Sequence, residues 1–313
     1  MASAGQLRPF RLAITATTAA SATEWRAKAR RVEELGYSTL LITDHLTAQL
    51  APLPALAAAA DATTTLRLGT FVLANDYRNP VMLAKEAATL DVLSGGRLEL
   101  GIGAGWATRD YEMLGIPYDP PAKRVERLRE AIVLMKRLWT EDRVEHSGRH
   151  YTVRAANVLP KPVQRPHPPL MIGGGGPVML RLAVKHADIV AFAPQVNQDG
   201  KGQLTHLSAG ATDEKVRLVR AAAGDRLDRL ELNAIVFDAG VADDPSSLLA
   251  HAATRFKGAV AGVVDSPYFL YGSLGQLRTQ LLARRERFGI SYYAIPEKVM
   301  EPFAPLAREL SAL

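Results

Sequence analysis

The strongest constraint on this chain is its beat. Short apolar runs at residues 10–14, 39–42, 66–73 and 97–102 read as strands. Each is followed by a helical pattern, at 24–35, 53–63, 80–93 and 125–139. Four strand–helix units in a row predict a parallel sheet with right-handed crossovers. A polar, proline-rich interval at 140–169 interrupts them, with a small hairpin expected at 144–146 and 151–153. The beat then resumes with strands at 170–172, 188–192, 230–237 and 291–294, and helices at 178–185, 213–223, 246–256, 274–288 and 303–310. Eight strands predict a (β/α)8 TIM barrel with insertions, residues 1–313 forming a single domain. An open doubly wound sheet carries the same periodicity and stays open as the alternative.

In such barrels the residues that follow the strands form the site. After the fifth strand come Gly173, Gly174, Gly175, Gly176 and Pro177. Glycine permits positive φ and close backbone approach, and proline suits a helix's first turn. Strand, glycine turn and helix start together aim N–H groups at one spot, which predicts a phosphate-type anion site. The bland reading is a tight or flexible loop. After the second strand, Asp44 and His45 form a candidate acid–base pair, or a capping residue beside a surface histidine. In the fourth strand Glu99, Gly101 and Gly103 share one face, where two glycines clear room for a flat ring or for close packing. Trp106 is then a ring wall or a core aromatic. The third strand runs out through Val72, Leu73, Ala74 and Asn75 toward a proline-started helix.

Composition narrows the chemistry. With no cysteine, thiolate metal sites, disulfides and cysteine nucleophiles are excluded. The histidines have no metal-ligand spacing, so no metal is expected, and no phosphate-loop or nucleophile-elbow motif is present. Hard chemistry then falls to a bound cofactor. The net charge of +6 favours anionic ligands weakly. Basic residues are dispersed, so no nucleic acid is expected, and the patch at 284–287 reads as a solvated helix face. No run spans a membrane and residues 1–9 lack a signal core, so a soluble cytoplasmic protein is expected. The Gly/Asn/Gln-rich stretch 195–212 reads as a lid or a disordered loop.

Together, Thr43-Asp44-His45, the stretch from Leu68 to Pro80, the run from Ser94 to Trp106 and Gly173 to Pro177 resemble the luciferase-like monooxygenase superfamily, in its F420-dependent oxidoreductase branch. The likeness covers about residues 13–192, and the run from Ser94 to Trp106 is its most specific part. The resemblance implies a barrel binding coenzyme F420, or alternatively FMN. Gly173, Gly174, Gly175, Gly176 and Pro177 would hold the cofactor phosphate. A non-prolyl cis peptide near Leu73-Ala74 would lie behind the ring, with Val72 and Asn75 beside it. Gly103, Ala104, Gly105 and Trp106 would line ring and substrate. Asp44 and His45 would touch the ring edge as acid or base. The family often continues Gly-Trp-Asn-Glu, whereas this chain reads Gly105-Trp106-Ala107-Thr108, with Arg109 offered to an anionic group. The implied activity is hydride transfer between the deazaflavin C5 and a small organic substrate, with His45 handling the proton. A separate cofactor-reducing enzyme and a homodimer are implied partners. The rivals are an FMN-dependent monooxygenase using O2, a silent flavin-binding barrel, and a sugar-phosphate barrel enzyme.

Overall fold

The computed structural model describes residues 8–195, 204–258 and 260–312. Eight parallel strands close on one another: β1 (Arg11–Thr15), β2 (Thr39–Ile42), β3 (Arg67–Thr70), β5 (Leu98–Gly103), β8 (Leu170–Gly174), β9 (Ile189–Phe192), β10 (Glu231–Ile235) and β13 (Ile290–Pro296). The β3–β5 and β1–β13 pairings complete the ring, so the barrel is closed and the open sheet is excluded. The short strand β4 (Leu73–Ala74) re-pairs with β5 beyond the end of β3.

Helices α1 (Ala22–Glu34), α2 (Pro52–Ala62), α3 (Pro80–Leu93), α4 (Thr108–Leu114) and α5 (Pro121–Thr140) follow the early strands. Then come α6 (Pro177–His186), α7 (Ala209–Ala223), α8 (Ser246–Arg255), α9 (Val260–Val264), α10 (Leu274–Phe288) and α11 (Met300–Leu310). Local chemistry fixes their ends. The Asn79 side chain caps α3 with Pro80 at its first turn. Ser273 and Gln276 form a reciprocal capping box on α10. Apolar residues alternate inward and outward on the strands. Ala13, Leu41, Met171, Ile189, Ala191 and Ala294 fill the barrel, while Leu40, Leu68, Leu100 and Ile172 pack outward on the helices.

The expected hairpin is present as β6 (Val144–Ser147) and β7 (Thr152–Ala156), antiparallel. Three features were not legible. Helix α4 is one. A two-stranded parallel pair, β11 (Asp238–Val241) with β12 (Phe269–Gly272), is another, and it buries residues read as loop. The third is the patch at 284–287. Arg284 and Arg285 are buried, Arg284 donating to the carbonyls of Phe269 and Val264 and Arg285 lying over the Phe10 ring, 4.2 Å from its centroid. Residues 196–203 of the stretch read as a lid, 195–212, lie outside the described residues. Beyond it α7 begins at Ala209, capped by the Ser208 hydroxyl. Among the described residues no helix is long and apolar enough to cross a membrane.

Candidate active site

The loop after β2 carries Asp44 and His45, and the structure separates their roles. The buried Asp44 carboxylate accepts the Ala74 N–H at 3.0 Å and both ends of the Arg78 guanidinium at 2.6 and 2.8 Å. A carboxylate engaged by a fork and an amide is a clamp, and it fixes the β4 segment. Asp44 therefore does not pair with His45. The imidazole Nδ1 of His45 lies 2.7 Å from Oδ2 of Asp110, a carboxylate 65 residues away and 3 % exposed. Asp110 sits in the first turn of α4, and its other oxygen accepts Leu46 N–H at 3.4 Å. The Trp106 ring meets His45 edge-on at 5.3 Å, and at 46 % exposure it is a wall of the mouth, not a core residue. Arg109, its neighbour in the sequence run, is exposed and makes no hydrogen bond or ion pair with the described residues.

The strand-three break is a bulge. The peptide between Phe71 and Val72 is cis, one to two residues before the expected Leu73-Ala74, because Leu73 and Ala74 are already back in register with Ile102 and Gly103. The bulge carries the Val72 side chain across the barrel top. A Cβ added at Gly101, Gly103 or Gly173 would come within 2.9, 3.0 or 3.2 Å of the Val72 methyls. The room cleared by the strand glycines is thus occupied by Val72, not left for a ring. Val72 in turn shows a half-buried apolar face to the mouth. The Asn75 side chain is also spent elsewhere: its amide donates to the Tyr151 hydroxyl at 3.1 Å and ties this loop to the hairpin.

The loop from Gly103 to Trp106 is locked by residues that sequence reasoning did not single out. Tyr111 donates to the Ala104 carbonyl at 3.2 Å and Tyr118 to the Trp106 carbonyl at 3.1 Å. Arg124 donates to the Gly105 carbonyl and stacks over the Tyr118 ring at 4.1 Å. Gly105, at φ +76°, passes so close to the Tyr111 hydroxyl that a Cβ would overlap it at 2.1 Å. Ala104 and Gly105 stay half-exposed at the mouth.

None of Gly173, Gly174, Gly175 or Gly176 takes a positive φ. Close approach, not unusual torsion, is what demands glycine there. A Cβ on Gly174 would sit 2.7 Å from Met179 Cβ, and one on Gly175 2.3 Å from the Ala193 carbonyl oxygen. Gly176 caps α6 without a side chain, and Pro177 fills the first turn, so among the described residues the first N–H groups of the helix have no side-chain acceptor. The half-exposed glycines Gly173 to Gly176 lead directly into this helix end. A polar cleft of about 560 Å3 opens beside the mouth, lined by Asp76, Tyr77, Arg78, Lys123, Arg127 and Tyr151 among others, and it includes none of the glycines.

Fold and site define a closed parallel barrel whose C-terminal mouth combines a glycine-rich strand end at a helix start, an apolar bulge and a histidine held by a buried carboxylate. Residues 4–261 match the model of the luciferase-like monooxygenase family, and the chain belongs to that family. It is 37 % identical over 168 residues to an F420-dependent glucose-6-phosphate dehydrogenase of Intrasporangium calvum, a match covering 50 % of each chain. The chain thus spans about half the length of the curated relatives it matches. By structure it is similar to the F420-dependent tetrahydromethanopterin reductase of Methanopyrus kandleri, with a TM-score of 0.75 at 16 % identity over 96 % of this chain and 98 % of that one. It is equally similar to an F420-dependent secondary alcohol dehydrogenase solved with an F420–acetone adduct, with a TM-score of 0.75 at 18 % identity over 95 % and 98 %.

Proposed function

We propose that this chain is an F420-dependent oxidoreductase that moves hydride between the deazaflavin C5 and a small organic substrate. The supporting observation is the juxtaposition at one mouth of the Gly173–Gly176 cradle, the Val72 platform and His45. The residues present fit such a cofactor. A phosphate suits the unpaired N–H groups at the start of α6, where a Cβ on Gly175 would collide with backbone. A flat ring suits the space between half-buried Val72 and exposed Trp106.

When bound, the deazaflavin supplies a ring carbon that accepts or gives hydride. The chain supplies the rest. Val72 and the Ala104–Gly105 backbone orient the ring and keep water from its apolar face. The Asp44–Arg78 clamp holds the segment that carries the bulge. His45 Nε2 takes the proton of a substrate hydroxyl as the carbinol hydrogen leaves with its electron pair, and returns that proton in the reverse direction. Titrating purified protein with F420 should change the coenzyme's fluorescence saturably. His45→Ala should keep that binding and lose about 10²-fold or more in kcat. Absence of F420 binding sinks the reading. A protein that purifies yellow and consumes O2 with reduced FMN would establish the monooxygenase alternative that the family description favours.

A further inference from the structure

We infer that Asp110 is the positioning residue of this site: it holds His45 as the Nδ1–H tautomer, so that the atom offered to the mouth is an unprotonated Nε2. The inference rests on the proposed role of His45 and names a residue that role had not included. The two nitrogens of a neutral imidazole are not equivalent, and the partner of one decides the state of the other. Nδ1 faces an acceptor 2.7 Å away in a group only 3 % exposed. Nε2 has no partner among the described residues and is not a buried orphan, so it reaches solvent at the mouth.

The surroundings of Asp110 leave one arrangement. Its Oδ1 accepts the Leu46 N–H, and its Oδ2 receives His45, with the Tyr77 hydroxyl a further 3.5 Å donor to the same oxygen. Every neighbour is a donor, so the carboxylate accepts throughout and Nδ1 must carry the hydrogen. Trp106, edge-on at 84°, closes the other side of the imidazole and limits its rotation. The pair is also local to function: His45 follows β2 and Asp110 opens α4 after β5, so the contact joins the two loops that flank the bulge.

Asp110→Asn tests this without changing side-chain volume. With its oxygen kept on Leu46 N–H, asparagine turns an amide N–H toward Nδ1 and forces the hydrogen onto Nε2. The first measurement needs no cofactor: 15N NMR of histidine-labelled protein at high pH, with His45 assigned through His45→Gln. Wild type should show a protonated Nδ1 and a bare Nε2, and Asp110→Asn the reverse. The second is kinetic. With F420 as the probe, Asp110→Asn should leave its Kd within about 3-fold and lower kcat by about 10²-fold or more, as a wrong tautomer does in catalytic triads. Asp110→Glu should restore the wild-type tautomer and part of kcat. A wild-type His45 with hydrogen on Nε2 overturns the inference, as does an Asp110→Asn protein that loses thermal stability but keeps wild-type kcat. If F420 fails to bind at all, the proposed function falls, while the NMR result still decides the tautomer.

Discussion

At the scale of single residues, the cradle is a case of backbone meeting backbone. A methyl at Gly175 meets the Ala193 carbonyl at 2.3 Å and the Pro194 and Gln195 main chain at 2.6 and 2.7 Å, none of which can swing aside. A methyl at Gly176 meets only the Gln195 side chain at 3.8 Å and beyond. Gly175→Ala should therefore cost about 1–3 kcal/mol and weaken F420 binding at least 10-fold. Gly176→Ala should cost about 1 kcal/mol, the loss expected when alanine replaces glycine as an N-cap, and leave F420 binding within about 3-fold. Calorimetry and fluorescence titration of both variants check this, and equal behaviour would remove the steric argument. Lys215 is the other residue whose surroundings dictate an outcome. Its ammonium is buried and donates to the carbonyls of Ala193 and His206 and to the Tyr268 hydroxyl, with no carboxylate in contact among the described residues. Burial pushes its pKa down from 10.5 to about 8. The unfolded chain then holds this proton more tightly than the folded one between those values. Stability should rise with pH from about 8 toward 10.5, and lie at its penalised level below 8. The Tm of wild type minus that of Lys215→Met should increase between pH 7 and 9.5. A flat difference would show that the lysine titrates as it does in the unfolded chain.

At the scale of elements, helix α5 holds the hairpin β6–β7 through Glu126, Arg137 and above all Glu130. Glu130 of α5 accepts the N–H groups of His150 and Tyr151 at 3.0 and 2.9 Å and contacts His146 Nε2 at 3.0 Å. Burial pushes its carboxyl up, but these donors outweigh burial and hold it below the usual range. The hairpin tip in turn receives Asn75, next to the Asp44-clamped loop. Glu130→Ala should raise amide exchange across 144–156 by about 10-fold or more, as lost hydrogen bonds open a local unit. It should weaken F420 binding without opening the barrel strands. Exchange confined to the barrel would contradict this path. The same element shows what was legible. All eight barrel strands, the hairpin and the glycine turn announce themselves by local periodicity or by residue type. The family resemblance alone implies a cis peptide nearby, at Leu73-Ala74; the bulge at Phe71-Val72 does not announce itself, because the apolar run continues through it to Leu73. Nor does Asp110. Nothing nearby in sequence ties it to His45, and the adjacent Asp44 offers an obvious but false partner. Pairings that close only when β2 and β5 are set around one mouth have no local signal.

At the scale of the molecule, the proposed site and the main buried ion network sit at opposite ends of the barrel. The mouth holds the glycines, Val72 and His45. The other end holds Glu99, fully buried, with Arg11 and Arg67 on its carboxylate and the Tyr292 hydroxyl donating at 3.2 Å. Arg11 continues to Glu231 at 2.8 Å and to the Thr39 hydroxyl at 2.9 Å. One network thus joins β1, β2, β3, β5, β10 and β13, including both pairings that close the ring. Burial pushes the Glu99 carboxyl up, but the two guanidinium charges outweigh it and keep the group ionised below the usual range. Removing that charge leaves Arg67 without a carboxylate and Arg11 with Glu231 alone; breaking such a pair typically costs about 3–5 kcal/mol when it is sealed. Arg11 and Arg67 keep 22 % and 30 % of their side chains in water, so the low end, about 3 kcal/mol, is expected for Glu99→Gln. In a chain of this size that lowers Tm by about 5 °C. Conserved-volume substitution at this end leaves the mouth untouched, so kcat and the F420 Kd of the folded fraction should stay within about 3-fold of wild type. Measuring Tm and single-temperature kinetics on the same preparation separates the two ends. A Glu99→Gln protein with wild-type Tm and depressed kcat would mean that the lower network reaches the site after all, and that the barrel does not divide its labour by end.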